Sequence, residues 1–170
     1  MCRPRCGRPT LFPQLLVDLD LFWLYGAWYI CFAARAYCTI NANATRAPAR
    51  LDRPDQHVYR VAATGQVVLM DNEGVFGRFN RAQRACANAD ETLPMFITGL
   101  LLQGFVTGPL ALCLALLWAF GRTSFARLYT KSLEGRGAGF LPAVVAEHVS
   151  AALVLLIAVK SSPLGYRLPL

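Results

Sequence analysis

Three polar side chains of different character follow one another just before Pro94. They are Arg84, Asn88 and Glu91, spaced by four and then three residues. On a helix that turns about 100° per residue, the three fall within an arc of roughly 60°. The thirty residues that follow, 92–121, contain no charged side chain. One helix face thus offers a cation, an amide and an anion at the edge of a long apolar segment, which predicts a site that binds something polar.

The alternative interpretation of this face is a charged stripe that only solvates the end of an apolar helix. Helix neighbours are three or four residues apart, whereas Arg84 and Glu91 are separated by seven. The spacing therefore argues against a purely local ion pair and favours ligand binding.

The composition indicates a membrane protein. Of the 170 residues, 55% are hydrophobic and 16% are charged, whereas a soluble domain carries about 25% charged residues. The mean hydropathy is +0.38. The net charge of +7 comes almost wholly from arginines that lie between apolar segments. That distribution is typical of loops flanking membrane spans and disfavours nucleic-acid binding.

The apolar segments predict an all-α bundle of four transmembrane helices with up-down topology. Pro94 is expected to kink the second helix without ending it. A basic flank (1–14), a polar inserted loop (39–78) and a tail (160–170) lie outside the spans. Part of the loop, 59–70, has the composition of a short strand, and Gly135, Gly137 and Gly139 predict a break before the last span. The spans are expected at about 15–38, 79–106, 110–130 and 140–159.

Basic residues are concentrated between spans one and two and between spans three and four. The positive-inside rule then places the polar face on the cytoplasmic side, or on its equivalent in an organelle. We expect a multi-pass protein of the endoplasmic reticulum or of a mitochondrial membrane. Cys2 and Cys6 form a C-x3-C pair without a nearby histidine, which is a weak metal signal, so no metal is expected.

Three local patterns accompany the four spans. They are A-A-R-A-Y at 33–37, F-N-R-A-Q-R-A at 79–85 continued by Asn88, Glu91 and Pro94, and G-R-x2-F-x3-Y at 121–129. Together they resemble the MAPEG family, the membrane-associated proteins of eicosanoid and glutathione metabolism. Within that family the chain looks most similar to the branch of microsomal glutathione S-transferase 3 and cysteinyl-leukotriene synthase.

The resemblance implies a homotrimer that binds glutathione as co-substrate between neighbouring subunits. It implies a membrane transferase or peroxidase acting on lipophilic electrophiles, with membrane lipids around it. In the matching positions, Arg35 would stabilise the thiolate and Arg136 would pair with a glutathione carboxylate. The other positions implied to bind glutathione are Arg84, Asn88, Glu91 and Tyr129.

The chemistry of glutathione suits these residue types. Its two carboxylates call for guanidinium groups, which bind carboxylates through two parallel hydrogen bonds. Its ammonium group calls for a carboxylate, here Glu91. The reactive species is the thiolate, whose ionisation a nearby guanidinium favours. An apolar second substrate would approach the sulfur from the lipid side.

Three features depart from the family pattern. The first loop is long, Phe125 stands where tyrosine is usual, and Glu147-His148 lies within the last span. These features favour an alternative function, that of a non-catalytic accessory or structural subunit of a larger membrane complex. The individual residues have alternatives too: Arg35 as a snorkelling span end, Tyr129 as an interfacial aromatic, Arg136 as a basic loop residue, and Glu147-His148 as an interhelix or intersubunit polar pair.

Overall fold

The computed structural model describes residues 21–51 and 73–162. These residues form four α-helices, which confirms the predicted all-α, four-helix architecture. We name them in chain order: α1 is Phe22–Arg46, α2 is Gly74–Gly104, α3 is Gly108–Lys131 and α4 is Arg136–Ser161. The possible strand at 59–70 and the flank at 1–14 lie outside the described residues.

The helices extend further into the polar segments than the apolar pattern indicates. α1 continues eight residues beyond position 38, and α2 begins five residues before Phe79. Tertiary contacts hold these extensions: the Asn41 amide donates to Thr130 Oγ1 at 2.8 Å, and Phe79 is buried in a small cluster with Ala49 and Leu51. Hydropathy does not register such contacts because they are made by polar or isolated apolar side chains.

The glycines before the last span do not all interrupt the helix. Gly135 precedes α4, but Gly137 and Gly139 lie within its first turns. Helix interiors tolerate glycine at a cost of about 1 kcal/mol relative to alanine, and packing can offset that cost. The predicted break is therefore confined to the short connection between Lys131 and Arg136.

Two of the described helices, α3 and α4, are long and apolar enough to cross a membrane. α2 carries Arg78, Arg81, Arg84, Asp90 and Glu91 between its start and Thr92, which lowers its average hydropathy. The remainder of α2, from Thr92 onward, has no charged residue. Many large apolar side chains on the outside of the bundle are exposed, including Tyr25, Tyr29 and Phe32 in the first helix.

α3 lies at the middle of the bundle and packs along each of the other helices. Trp118 of α3 is fully buried and stacks on Phe96 of α2, with ring centroids 5.2 Å apart. α2 and α4, by contrast, meet over only a short length. A groove is left between them, and it opens to the outside of the bundle.

Small residues allow α3 and α4 to approach backbone to backbone. A Cβ built on Gly121 would lie 2.5 Å from the backbone nitrogen of Ala143. One built on Gly139 would overlap the backbone of Phe125. Gly139 and Ala143 are four residues apart, the spacing at which small residues form close helix contacts in membranes. This seam positions Phe125 and the residues one turn beyond it against the start of α4.

Candidate functional site

A polar cleft of about 240 Å³ lies where α2, α3 and the start of α4 come together. It contains four of the five residues that the sequence proposes for glutathione binding: Arg84, Asn88, Tyr129 and Arg136. Two aromatic side chains complete its lining, Phe125 and Phe140. The sequence places these residues on three separate segments, and the helix packing brings them together.

The aromatic side of the cleft is built on the α3–α4 seam. Phe125 and Tyr129 are one turn apart on α3 and stack with ring centroids 5.2 Å apart. Phe140 of α4 lies 6.2 Å from Phe125, measured between ring centroids. Phe125 is buried and forms an apolar wall. Because phenylalanine stands where the family resemblance implies tyrosine, this position adds no hydroxyl.

The cationic side of the cleft is formed by two exposed arginines. Arg136 is the first residue of α4, and it has no hydrogen-bonding or ion-pair partner among residues 21–51 and 73–162. Arg84 donates through Nη1 to Glu91 Oε1 at 3.2 Å. An exposed pair of this kind contributes at most about 1 kcal/mol, so an anionic ligand can compete for Arg84.

The pairing of Arg84 with Glu91 corrects the expectation drawn from their spacing. Seven residues correspond to about 10.5 Å of helix, which two long side chains can bridge when they lean toward each other. Glu91 also lies outside the cleft lining and instead borders the groove between α2 and α4. Arg84 and Glu91 thus join the cleft to the groove.

A buried arginine, Arg122, lies beneath the cleft. The sequence pattern predicted no role for this residue. Arg122 of α3 is only 2% exposed. Its Nη2 donates to Glu147 Oε1 at 2.5 Å and to Thr92 Oγ1 at 2.6 Å, and its Nη1 donates to Asn88 Oδ1. Its guanidinium carbon lies 5.7 Å from the centroid of the Trp118 ring. One side chain therefore binds polar groups of α2 and α4 from the middle of the bundle.

Glu147 is a polar partner between helices within the bundle. This is one of the alternatives that the sequence left open for Glu147-His148. Besides Arg122, its Oε1 accepts a hydrogen bond from Trp118 Nε1 at 2.8 Å. His148 is exposed, and its Nδ1 lies 2.8 Å from the backbone oxygen of Val144. The two adjacent residues face different ways, because neighbours on a helix differ by about 100° in direction.

The sequence contains a signal for the buried cluster around Arg122 and Glu147. Arg122 follows an uncharged run of thirty residues, and Glu147 lies inside an apolar span. Charged groups at such positions pair with one another or face a cavity. Two opposite charges in adjacent apolar helices therefore indicate a buried pair, although the signal does not indicate that Asn88 joins it.

The cluster determines how Asn88 faces the cleft. The Oδ1 atom of Asn88 accepts from Arg122, so its Nδ2 group is the end left for a ligand. Because the amide is fixed at one end by a buried guanidinium, Asn88 presents a donor to the cleft.

The structure does not bring Arg35 into the cleft. Its Nη2 donates to Asp90 Oδ2 at 2.9 Å, its Nε donates to Asp90 Oδ1, and its Nη1 donates to Thr39 Oγ1. Asp90 stands between Asn88 and Glu91 in the sequence, but two residues turn a helix by about 200°, so its side chain is directed away from the cleft and toward α1. Within one chain, Arg35 and the cleft are on different faces of α2.

The sequence model of the MAPEG family matches residues 19–159, which include all four helices almost completely. The chain belongs to the MAPEG family. Members of this family are membrane-embedded helix bundles and include glutathione transferases, peroxidases and synthases. No curated protein is significantly similar to the chain in sequence. Family membership and the two strongly apolar helices together indicate association with a membrane.

Proposed function

We propose that this MAPEG protein is a glutathione-dependent membrane transferase or peroxidase acting on lipophilic electrophiles. The observation that carries the proposal is the cleft itself. Its two exposed guanidiniums, Arg84 and Arg136, suit the two carboxylates of glutathione. The fixed amide of Asn88 suits a peptide carbonyl, and Tyr129 adds a hydroxyl beside the aromatic wall.

Glu91 has a different place in this proposal from the one its sequence position indicates. It borders the cleft through its pair with Arg84 rather than lining it. When a glutathione carboxylate takes over Arg84, the carboxylate of Glu91 is released for the ammonium of the same ligand. Binding therefore exchanges one exposed ion pair for two ligand contacts.

Activation of the thiol is assigned to Arg35 of a neighbouring copy in a homotrimer. A guanidinium beside the sulfur favours the thiolate, and exclusion of water strengthens that interaction. In its own chain Arg35 is bound to Asp90, and both side chains are partly exposed. The assembly would bring this face of α1 against the cleft of the next subunit.

The test is a measurement of glutathione binding and thiolate absorbance on the protein in lipid nanodiscs. We expect saturable binding and a thiolate signal at neutral pH. R84A and R136A should each weaken binding by roughly ten- to a hundredfold, the effect of losing a charge-assisted hydrogen bond. R35A should remove the thiolate signal with little effect on affinity, and R35K should restore part of it.

Two exposed arginines provide matched controls for these variants. Arg78 lies on α2 and Arg127 on α3, and neither lines the cleft. R78A and R127A should bind glutathione as the wild type does. Equal losses in the control and cleft variants would indicate a general charge effect. Absence of both saturable binding and a thiolate signal in the wild type would refute the enzymatic function.

Two observations favour a second function, that of a non-catalytic accessory or structural subunit. Arg35 is occupied by Asp90, and Phe125 puts a phenyl ring where a hydroxyl would serve the sulfur. Under this alternative the protein would copurify in a fixed ratio with other membrane subunits. Native mass spectrometry separates the two functions, because a homotrimer that binds glutathione supports the enzyme and a single copy within a larger complex supports the subunit.

A further inference from the structure

The last turn of α3 carries Tyr129, and the carbonyl groups at the end of this turn lack helical partners. α3 ends at Lys131, and the N–H of Ser132 donates to Leu128 O at 3.1 Å. The next two carbonyls, those of Tyr129 and Thr130, would need donors at positions 133 and 134, which lie beyond the helix. Helix ends fray where such groups have no partner in the fold. The turn that holds Tyr129 therefore depends on a donor from another part of the protein.

Arg81 of α2 provides that donor. Its Nε donates to Tyr129 O at 3.0 Å, and its Nη2 donates to Thr130 O at 3.3 Å. Both nitrogens belong to one planar guanidinium, so the two carbonyls are held in a fixed geometry. A cation at the C-terminal end of a helix also interacts favourably with the helix dipole. Arg81 therefore fixes the last turn of α3 against α2.

These two hydrogen bonds join the opposite sides of the polar cleft. Arg81 precedes Arg84 by three residues and Asn88 by seven, so the three side chains lie on one side of α2. Tyr129 faces them from α3. A displacement of the last turn of α3 would change the distance of the Tyr129 ring from Arg84 and Asn88. Arg81 thus controls the width of the cleft although it does not line it.

A second contact holds the same end of α3, but its hydrogen bonds do not involve Tyr129. The side-chain amide of Asn41 donates to Ala126 O at 3.3 Å and to Thr130 Oγ1 at 2.8 Å. Asn41 belongs to α1, so these bonds attach α3 to α1 rather than to α2. Loss of either Asn41 or Arg81 removes two hydrogen bonds from the end of α3. Only the loss of Arg81 would release Tyr129 from α2.

We infer that Arg81 is a positioning residue, which holds the Tyr129 hydroxyl at the distance from Arg84 and Asn88 that glutathione requires. The inference rests on the proposed binding of glutathione in this cleft. Arg81 acts through the backbone of α3 and does not contact the ligand. Its effect on binding should therefore be present only while residue 129 carries a hydroxyl.

The position of Tyr129 can be measured without glutathione. A genetically encoded fluorotyrosine at position 129 gives a single fluorine NMR resonance, which we expect to be narrow in the otherwise unchanged protein. R81M should shift or broaden this resonance, because methionine keeps the apolar stem but removes both donors. N41A should leave the resonance in place, although both variants should lower the midpoint of thermal unfolding.

Glutathione affinity tests what this position does for binding. R81M and Y129F should each weaken binding by up to about tenfold, the effect of one neutral hydrogen bond. The double variant R81M/Y129F should lose no more than the larger of the two, because both changes act on the same hydroxyl. R81M/R136A should lose the product of the single factors, since Arg136 belongs to α4. N41A should bind glutathione as the wild type does.

The variant R81K separates position from charge. Lysine keeps the positive charge, but its single ammonium group cannot hold both carbonyls as the planar guanidinium does. R81K should therefore bind glutathione more tightly than R81M and more weakly than the wild type. If R81M fails to fold, R81K carries both measurements because it keeps the charge and the apolar stem.

Three results would overturn the inference. One is an unchanged resonance in R81M, and another is additive loss of affinity in R81M/Y129F. The third is wild-type affinity in R81K together with a displaced resonance, which would give Arg81 a purely electrostatic role. Absence of glutathione binding in the wild type would instead refute the proposed function, and with it the role of Arg81 in binding. The resonance would still decide whether Arg81 holds Tyr129, so the two failures are distinguishable.

Discussion

Two arginine sites on either side of Asn88 show what burial does to the same chemical group. Arg122 is buried and uses both Nη atoms within the bundle, for Asn88, Thr92 and Glu147. Arg136, across the cleft, is exposed and has no partner within the described residues. A buried guanidinium must be paired to offset its desolvation, whereas an exposed one remains available to a ligand. The first site links α3 to α2 and α4, and the second is a charge that we propose for ligand binding.

The largest expected effect comes from the buried site. E147L should lower the free energy of unfolding by about 3–5 kcal/mol, because it leaves Arg122 buried without its counter-charge. The double variant R122M/E147L should recover most of that loss, since an apolar pair of similar volume can replace a buried ion pair. Unfolding titrations in detergent measure both. Equal losses in the single and double variants would show that the pair is not the stabilising unit.

A second effect concerns the seam that both arginine sites share. G121A should lower the free energy of unfolding by about 1–3 kcal/mol, because its Cβ would press on the backbone of α4. It should also weaken glutathione binding by moving Phe125 away from Phe140.

Gly137 provides the control for the seam variant, since a Cβ there meets no atom within 4 Å. G137A should be neutral or stabilising by up to about 1 kcal/mol, in line with helix propensity. Thermal unfolding in detergent measures the stability of both variants, G121A and G137A. A G121A protein as stable as G137A would mean that the seam is looser than the structure indicates.

The third prediction tests whether the buried arginine orients Asn88 for the cleft. N88A should weaken glutathione binding by up to about tenfold, the effect of one neutral hydrogen bond. R122M/E147L should weaken it by a similar factor although its stability is nearly restored. The triple variant should lose no more than either, because coupled changes are not additive. Isothermal titration calorimetry measures the affinity of each variant for glutathione. Fully additive losses in the triple variant would show that Asn88 acts independently of the Arg122–Glu147 pair.

The smallest effect is expected at the third arginine. Arg35 and Asp90 are partly exposed, so D90N should change the free energy of unfolding by no more than about 1 kcal/mol. If Arg35 acts on a neighbouring subunit, D90N should leave thiolate formation intact or increase it. Loss of the thiolate signal in D90N would instead indicate that Asp90 is needed to position Arg35.

Much of the candidate site was predictable from residue spacing. Arg84 and Asn88 share a helix face by periodicity, and Tyr129 and Arg136 followed from the family resemblance. The partners of these residues were less predictable. Periodicity does not show that Arg84 and Glu91 lean together across two turns, or that the Oδ1 of Asn88 is already bonded to Arg122. Both depend on side-chain conformations and on neighbouring helices.

The sequence by itself determined the four helices and the polar face that begins at Arg84, because apolar periodicity and the absence of charge are local properties. It also contained the evidence of family membership. Only the tertiary structure decided which arginine is buried, which face of α2 meets α1, and where a groove remains. Those outcomes depend on contacts between residues far apart in the chain, such as Arg122 with Glu147 and Gly121 with Ala143. A buried charge must find its partner across helices, and close packing determines which one it reaches.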